Sequence, residues 1–161
     1  CNSGETQNFG DMMGIINIVK NVKEIHNKYI VLVKIGNFYY CYGKDSYIIS
    51  YLFKYKINIL KDYTYSCSFP QNASNKVISI LENKQVNYII LDRRNNYEII
   101  EKSDNRNLNR YDKIYEIGRR ENVKRMRVEK IYSYLLENID NKELIDNIEK
   151  VINERRKIQS N

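Results

Sequence analysis

The stretch KYIVLVKIGNFYYCYGKDS, residues 28–46, constrains the fold of this chain more than any other. Four consecutive apolar residues, Ile30, Val31, Leu32 and Val33, stand between Lys28 and Lys34 and read as a strand. Gly36 breaks the run and Phe38–Tyr42 resume it, so two consecutive strands meet at a tight bend. Asp45 is expected to cap the helix that follows, its side-chain oxygen accepting from a free backbone N–H.

The flanks supply partners for this core. Residues 1–10 are polar and read as a disordered tail. From Asp11, the expected cap, Met12, Ile15, Ile16, Val19 and Val22 follow helical spacing and should lay one face on the sheet. After a helix over 46–55, short strands are expected at 57–60 and 63–69, joined by a Lys61–Asp62 turn. Pro70 should open the next helix, over 72–83. Strands over 86–91 and 97–101 then form a hairpin whose polar loop carries Arg93 and Arg94. The order predicts an α/β (α+β) domain over 11–101, a mixed six-stranded sheet flanked by helices.

Residues 102–111 read as a linker, and residues 112–161 as a C-terminal helical hairpin with an apolar stripe on each helix. Asp140 and Glu143 are expected to form the capping box of the second helix. The first helix carries six bases within twelve residues, Arg119, Arg120, Lys124, Arg125, Arg127 and Lys130, against Glu121 and Glu129. Such a run is ordinarily a solvated face, but on a chain of net charge +7 it is equally a phosphate-binding surface.

The residues also exclude several chemistries. A single histidine, His26, leaves no His-based metal site or nucleophilic triad. Six scattered glycines contain no phosphate-binding loop, and Asp45, Asp62 and Asp92 match no nuclease spacing. No catalytic role, metal or cofactor is therefore expected. Three cysteines without zinc-like spacing point to a reducing cytoplasm, with Cys41 and Cys67 as small core residues. Cys1 stands where an initiating methionine is expected and reads as a cloning remnant or a trimmed start, with a lipoprotein maturation point as the alternative. No apolar run is long enough to span a membrane. Tyrosine (15), asparagine, isoleucine and lysine dominate, as codons of an AT-rich genome favour, so tyrosine abundance alone carries no functional argument.

Gly36, Phe38, Tyr39, Tyr40, Asp45 and Ser46 resemble the Gly-x-Phe-Tyr-Glu and Asp-Ala pattern of the N-terminal, mismatch-recognition domain of the MutS DNA repair family. The resemblance runs in order from about Met12 to Asp92: the Met12–Met13 pair opens a helix before the strand, and Phe69-Pro70 with Ala73 stands where the family has Gly-Ile-Pro and His-Ala. The C-terminal hairpin is expected to have no counterpart in the family's first domain. The resemblance implies a domain of that fold that binds distorted or mismatched double-stranded DNA, with Phe38 as the wedge beside the mispaired base. The family's glutamate is Tyr40 here, and a tyrosine supplies no carboxylate to a base. The chain looks more like eukaryotic members that keep the glycine and aromatic residues without reading the mismatch.

On this reading the DNA-binding residues are Phe38, Tyr40, Lys34, Asn37, Arg93, Arg94, Arg119, Arg120, Lys124 and Arg125. Unstacking a base step costs a few kcal/mol and one aromatic stack returns about 1–3 kcal/mol, so phosphate contacts must supply the surplus. The alternative is a scaffold that keeps the fold without binding DNA and docks a protein partner, or a second copy as a homodimer, through its C-terminal helices.

Overall fold

The computed structural model of the chain describes residues 9–60 and 64–161. The expected Lys61–Asp62 turn, Cys1 and the expected tail lie outside these residues, except that Phe9 and Gly10 already belong to α1 (Phe9–Ile25). Asp11 therefore sits in the first turn of α1 rather than at its cap, where its charge still favours the positive end of the helix dipole.

Six strands form one mixed sheet. They are β1 (Tyr29–Ile35), β2 (Phe38–Tyr42), β3 (Asn58–Ile59), β4 (Tyr65–Pro70), β5 (Asn87–Asp92) and β6 (Glu98–Lys102), in spatial order β3-β4-β2-β1-β5-β6. β1 lies in the middle, parallel to β5 and antiparallel to β2; the remaining pairings are antiparallel. Gly36, at φ 58°, makes the β1–β2 turn in a conformation that disfavours side chains bearing a Cβ.

The apolar run of β1 is continuous because both of its faces are covered. Val31 and Val33 point to a core completed by Ile15, Ile16 and Val19 of α1 and by Ile89 and Leu91. Ile30 and Leu32 point to the opposite core. There Ile48 and Ile49 of α2 (Lys44–Phe53) meet Val77 and Leu81 of α3 (Ser74–Asn83). Cys41 and Cys67 face each other in register on β2 and β4, both buried as free thiols. Burial pushes the Cys41 thiol well up, so it stays protonated and packs as a small apolar side chain.

Asp45 is not a helix cap. The cap position is Gly43, without a side-chain bond, and the Asp45 carboxylate turns inward to the sheet. Pro70 ends β4 opposite Phe38 and caps a short 3-10 turn, Gln71–Ala73, that runs directly into α3.

Chain order and compactness part company after β6. Residues 103–105 are pinned to the sheet: Ser103 N–H donates to the Tyr88 carbonyl at 3.0 Å, and Asn105 N–H to the Asn87 side chain at 2.7 Å. α4 (Asn109–Glu137) then buries Tyr111 and Ile114 in the core that holds α2 and α3. The first compact unit accordingly runs to Asn122 and the second covers Val123–Asn161, whereas the sequence pattern sets a boundary at 102–111. The second unit contains the later part of α4 and α5 (Lys142–Gln159), which Asn141 caps in place of Asp140, accepting from Leu144 N–H at 3.1 Å. α5 holds no buried residue, so its apolar stripe is not enclosed as a hairpin core.

Candidate functional site

The strand directions gather the N-terminal candidates at one end of the sheet. β1 and the parallel β5 both end there, β2 begins there and the antiparallel β4 ends there. Register places Phe38 opposite Ile35 on one side and Pro70 on the other, while Lys34 lies opposite Asp92. With strands about 4.8 Å apart, the row from β4 to β5 is about 15 Å wide.

Phe38 projects from this end. It is 40 % exposed, whereas its neighbour Tyr39 is 7 % exposed and stacks on Phe69 with ring centroids 5.3 Å apart. The pleat explains the difference, since alternate side chains of β2 serve opposite faces. Tyr40 shares Phe38's face, half-buried against the α1 core, with its ring 6.4 Å from that of Phe38. One aromatic ring is thus presented to solvent and supported from behind by a second.

Beside Phe38 lies an open groove of about 730 Å³ whose lining includes Asn37, Pro70, Gln71, Asn72 and Asn75. Gln71 N–H donates to the Asn37 carbonyl at 2.8 Å, which ties the β1–β2 turn to the turn before α3. Four residues with side-chain amides therefore line the groove that Phe38 shares, each able to donate and accept. The N-terminus of α3 borders the groove through Ser74 and Asn75, and no acidic residue occupies its first turn. The Ser74 N–H already donates to the Gln71 carbonyl, so it is the helix dipole that favours an anion there.

Cations flank the same end. Lys34 is half-buried at the end of β1, and Arg93 and Arg94 are exposed on the 3-10 turn that follows β5. That turn is shaped by Asp92, whose Oδ1 accepts from Arg94 N–H at 2.8 Å. The structure thus brings Lys34, Asn37, Phe38, Tyr40, Arg93 and Arg94 to one sheet end.

Arg119 and Arg120 are placed differently, on the exposed side of α4 where that helix runs along α2. Arg119 lies 3.5 Å from Glu116, and Arg120 Nε donates to the Glu116 carbonyl. Lys124 and Arg125 fall in the second unit. Among the described residues no group of three or more His, Cys, Asp or Glu side chains is arranged to hold a metal ion, and no helix is long and apolar enough to cross a membrane.

Sequence reasoning missed Gln71, Asn72 and Asn75. Their signal was the run of polar residues directly after Phe69-Pro70, which reads as the opening of a helix until the β2–β4 register sets it beside Phe38. A family model described as MutS domain I matches residues 13–133. The match continues past Asp92 through most of α4, so that helix has a counterpart in the family domain. No curated protein matches the chain.

Proposed function

The chain belongs to the MutS domain I family, a mismatch-recognition module, and on that basis we propose that it is a non-catalytic module that binds distorted or mismatched double-stranded DNA chiefly through phosphate contacts. The observation that carries this reading is the exposed Phe38, set in an amide-lined groove and flanked by Lys34, Arg93 and Arg94 at one sheet end. Phe38 enters or stacks on a base step that is already weakened. Lys34, Arg93, Arg94 and the α3 N-terminus hold phosphates on either side of it, while Asn37, Gln71 and Asn72 meet sugar and base edges. Tyr40 lends Phe38 rigidity and surface instead of a carboxylate, so affinity follows the deformability of the duplex more than the identity of its bases. Arg119, Arg120, Lys124 and Arg125 add cationic attraction that is indifferent to sequence.

Fluorescence anisotropy titrations on matched, mismatched and bulged duplexes across salt test this. Every phosphate that is no longer neutralised should lower the log–log salt slope by about 0.9 on B-DNA. Arg93→Ala with Arg94→Ala should flatten the slope and weaken binding to every duplex alike. The fourfold alanine variant at Arg119, Arg120, Lys124 and Arg125 should do the same. Phe38→Ala should spare the slope and lose affinity selectively for mismatched and bulged DNA. A folded Phe38→Ala protein that binds every duplex as the parent does would exclude the wedge. Absence of binding at low salt would favour the scaffold reading, which the exposed apolar stripe of α5 supports.

A further inference from the structure

The second unit leaves apolar surface that its own chain does not cover. Along α5, Leu144, Ile145, Ile148, Val151, Ile152 and Ile158 recur at intervals of three, four and seven, which places them on one stripe. The first three are half-buried, but Val151 is 56 % exposed, Ile152 46 % and Ile158 68 %. These exposed β-branched side chains, interrupted by Arg155 between Ile152 and Ile158, form an apolar surface of the kind that marks an interaction.

Charge along the same helix selects the occupant. The first half, residues 142–149, carries Glu143, Asp146 and Glu149 against Lys142 alone. The second half, residues 150–159, carries Lys150, Arg155, Arg156 and Lys157 against Glu154 alone. The helix is therefore acidic at its start and basic at its end. A second copy laid parallel sets acid on acid and base on base. A second copy laid antiparallel sets each acidic half on the partner's basic half, twice over, about a two-fold axis. The stripe then closes on itself, because the helix is its own complement in that orientation alone.

We propose that α5 is a homodimerisation helix that pairs antiparallel with α5 of a second copy. The pair extends over the roughly 27 Å of an 18-residue helix. The apolar stripe supplies the affinity, and the charge halves set the direction and exclude the parallel alternative. The stripe shares no residue with the sheet end proposed for DNA, so the two readings stand or fall independently.

Sedimentation equilibrium of the full chain is the test. The parent should reach twice the monomer mass at tens of micromolar, and Val151→Asp with Ile158→Asp should raise the dimer dissociation constant about a hundredfold or more. Circular dichroism and the thermal transition of the sheet domain check that this variant is folded. Orientation is read from two charge variants: Asp146→Lys with Glu149→Lys, and Arg155→Glu with Arg156→Glu. Each alone should weaken the dimer, the two mixed should restore it as a heterodimer, and high salt should weaken the parent. In a parallel pair like charges already face one another, so reversing one half would leave the affinity unchanged; that result overturns the proposal. A monomeric parent, or a dimer indifferent to Val151→Asp with Ile158→Asp, overturns it as well.

Discussion

Tyr111, at the start of α4, donates its phenolic hydrogen to Oδ1 of Asp45 at the start of α2, and Asp45 is fully buried. The same carboxylate accepts from Val31 N–H of β1 at 3.0 Å and from the Lys23 ammonium of α1 at 2.8 Å. One acidic side chain thus joins four elements: the two helices on one face, the helix on the other, and the central strand between them. A buried carboxylate is tolerated because its bonds replace the water it has lost.

Removing that carboxylate leaves the Val31 N–H without its acceptor and strips the Lys23 ammonium of its counter-charge, leaving it only the Tyr29 carbonyl and the Tyr111 hydroxyl. Asp45→Ala should therefore cost about 3 kcal/mol, with Asp45→Asn costing less because one carbonyl oxygen remains. Urea unfolding followed by circular dichroism measures both. A loss of under about 1 kcal/mol for Asp45→Ala would show that the network is incidental to the fold.

The tyrosine partner makes stability depend on alkaline pH. Burial first, and then the Asp45 charge and its hydrogen bond, push the Tyr111 hydroxyl pKa upward, and burial does the same to Tyr42 and Tyr88. An unfolded tyrosine ionises near about pH 10. The folded state thus holds its protons more tightly, so the stabilisation is complete below about pH 10 and declines as pH rises beyond it. Urea midpoints should be flat from neutral pH to about 8, decline from there as the buried Cys41 thiol resists ionisation, and fall more steeply above about 10. Tyr111→Phe should be less stable at neutral pH and should show a shallower alkaline decline than the parent.

Two helical glycines should respond in opposite directions. A Cβ on Gly118 meets the Tyr47 carbonyl oxygen at 3.0 Å and the Tyr51 Cβ at 3.1 Å, because α4 crosses α2 closely there. Asn122, one turn further on, holds the crossing by donating to the Tyr47 carbonyl at 3.1 Å. Gly118→Val should cost about 1–3 kcal/mol through overpacking. Gly14 in α1 has open space around its Cβ position, so Gly14→Ala should gain about 0.5–1 kcal/mol from helix propensity alone. Thermal melts of the two variants should move to opposite sides of the parent.

Tyr40→Glu restores the residue that the family carries two positions after the phenylalanine. Tyr40 is half-buried against the α1 core, so the carboxylate should cost about 1–2 kcal/mol of stability. It should also weaken binding to matched duplex by repelling phosphate while raising the ratio of mismatched to matched affinity. Anisotropy on the two duplexes reads that ratio; if it stays at the parent value, position 40 has no part in reading a base.

The apolar run of β1, the glycine turn, the aromatic β2 and the helical spacing of α1, α2 and α3 are local properties, and local patterns determined the elements and the six-stranded mixed sheet. Phe38 stood out only through the family resemblance, since a glycine followed by an aromatic at a strand start is a weak signal that otherwise reads as an ordinary core aromatic. Strand register was not. Only the pairing of Phe38 with Pro70 and of Lys34 with Asp92 set the amides of the turn before α3 and the Arg93–Arg94 turn at the same sheet end. The role of Asp45 was equally hidden, because a carboxylate before a helix reads as a cap until partners from residues 23, 31 and 111 converge on it. The start of α4 read as a linker followed by a separate hairpin helix, because Tyr111, Ile114 and Gly118 are isolated among charges in sequence and adjacent only in space. Elements follow from neighbours a few residues apart; sites and domain limits follow from contacts between distant residues, which tertiary packing alone decides.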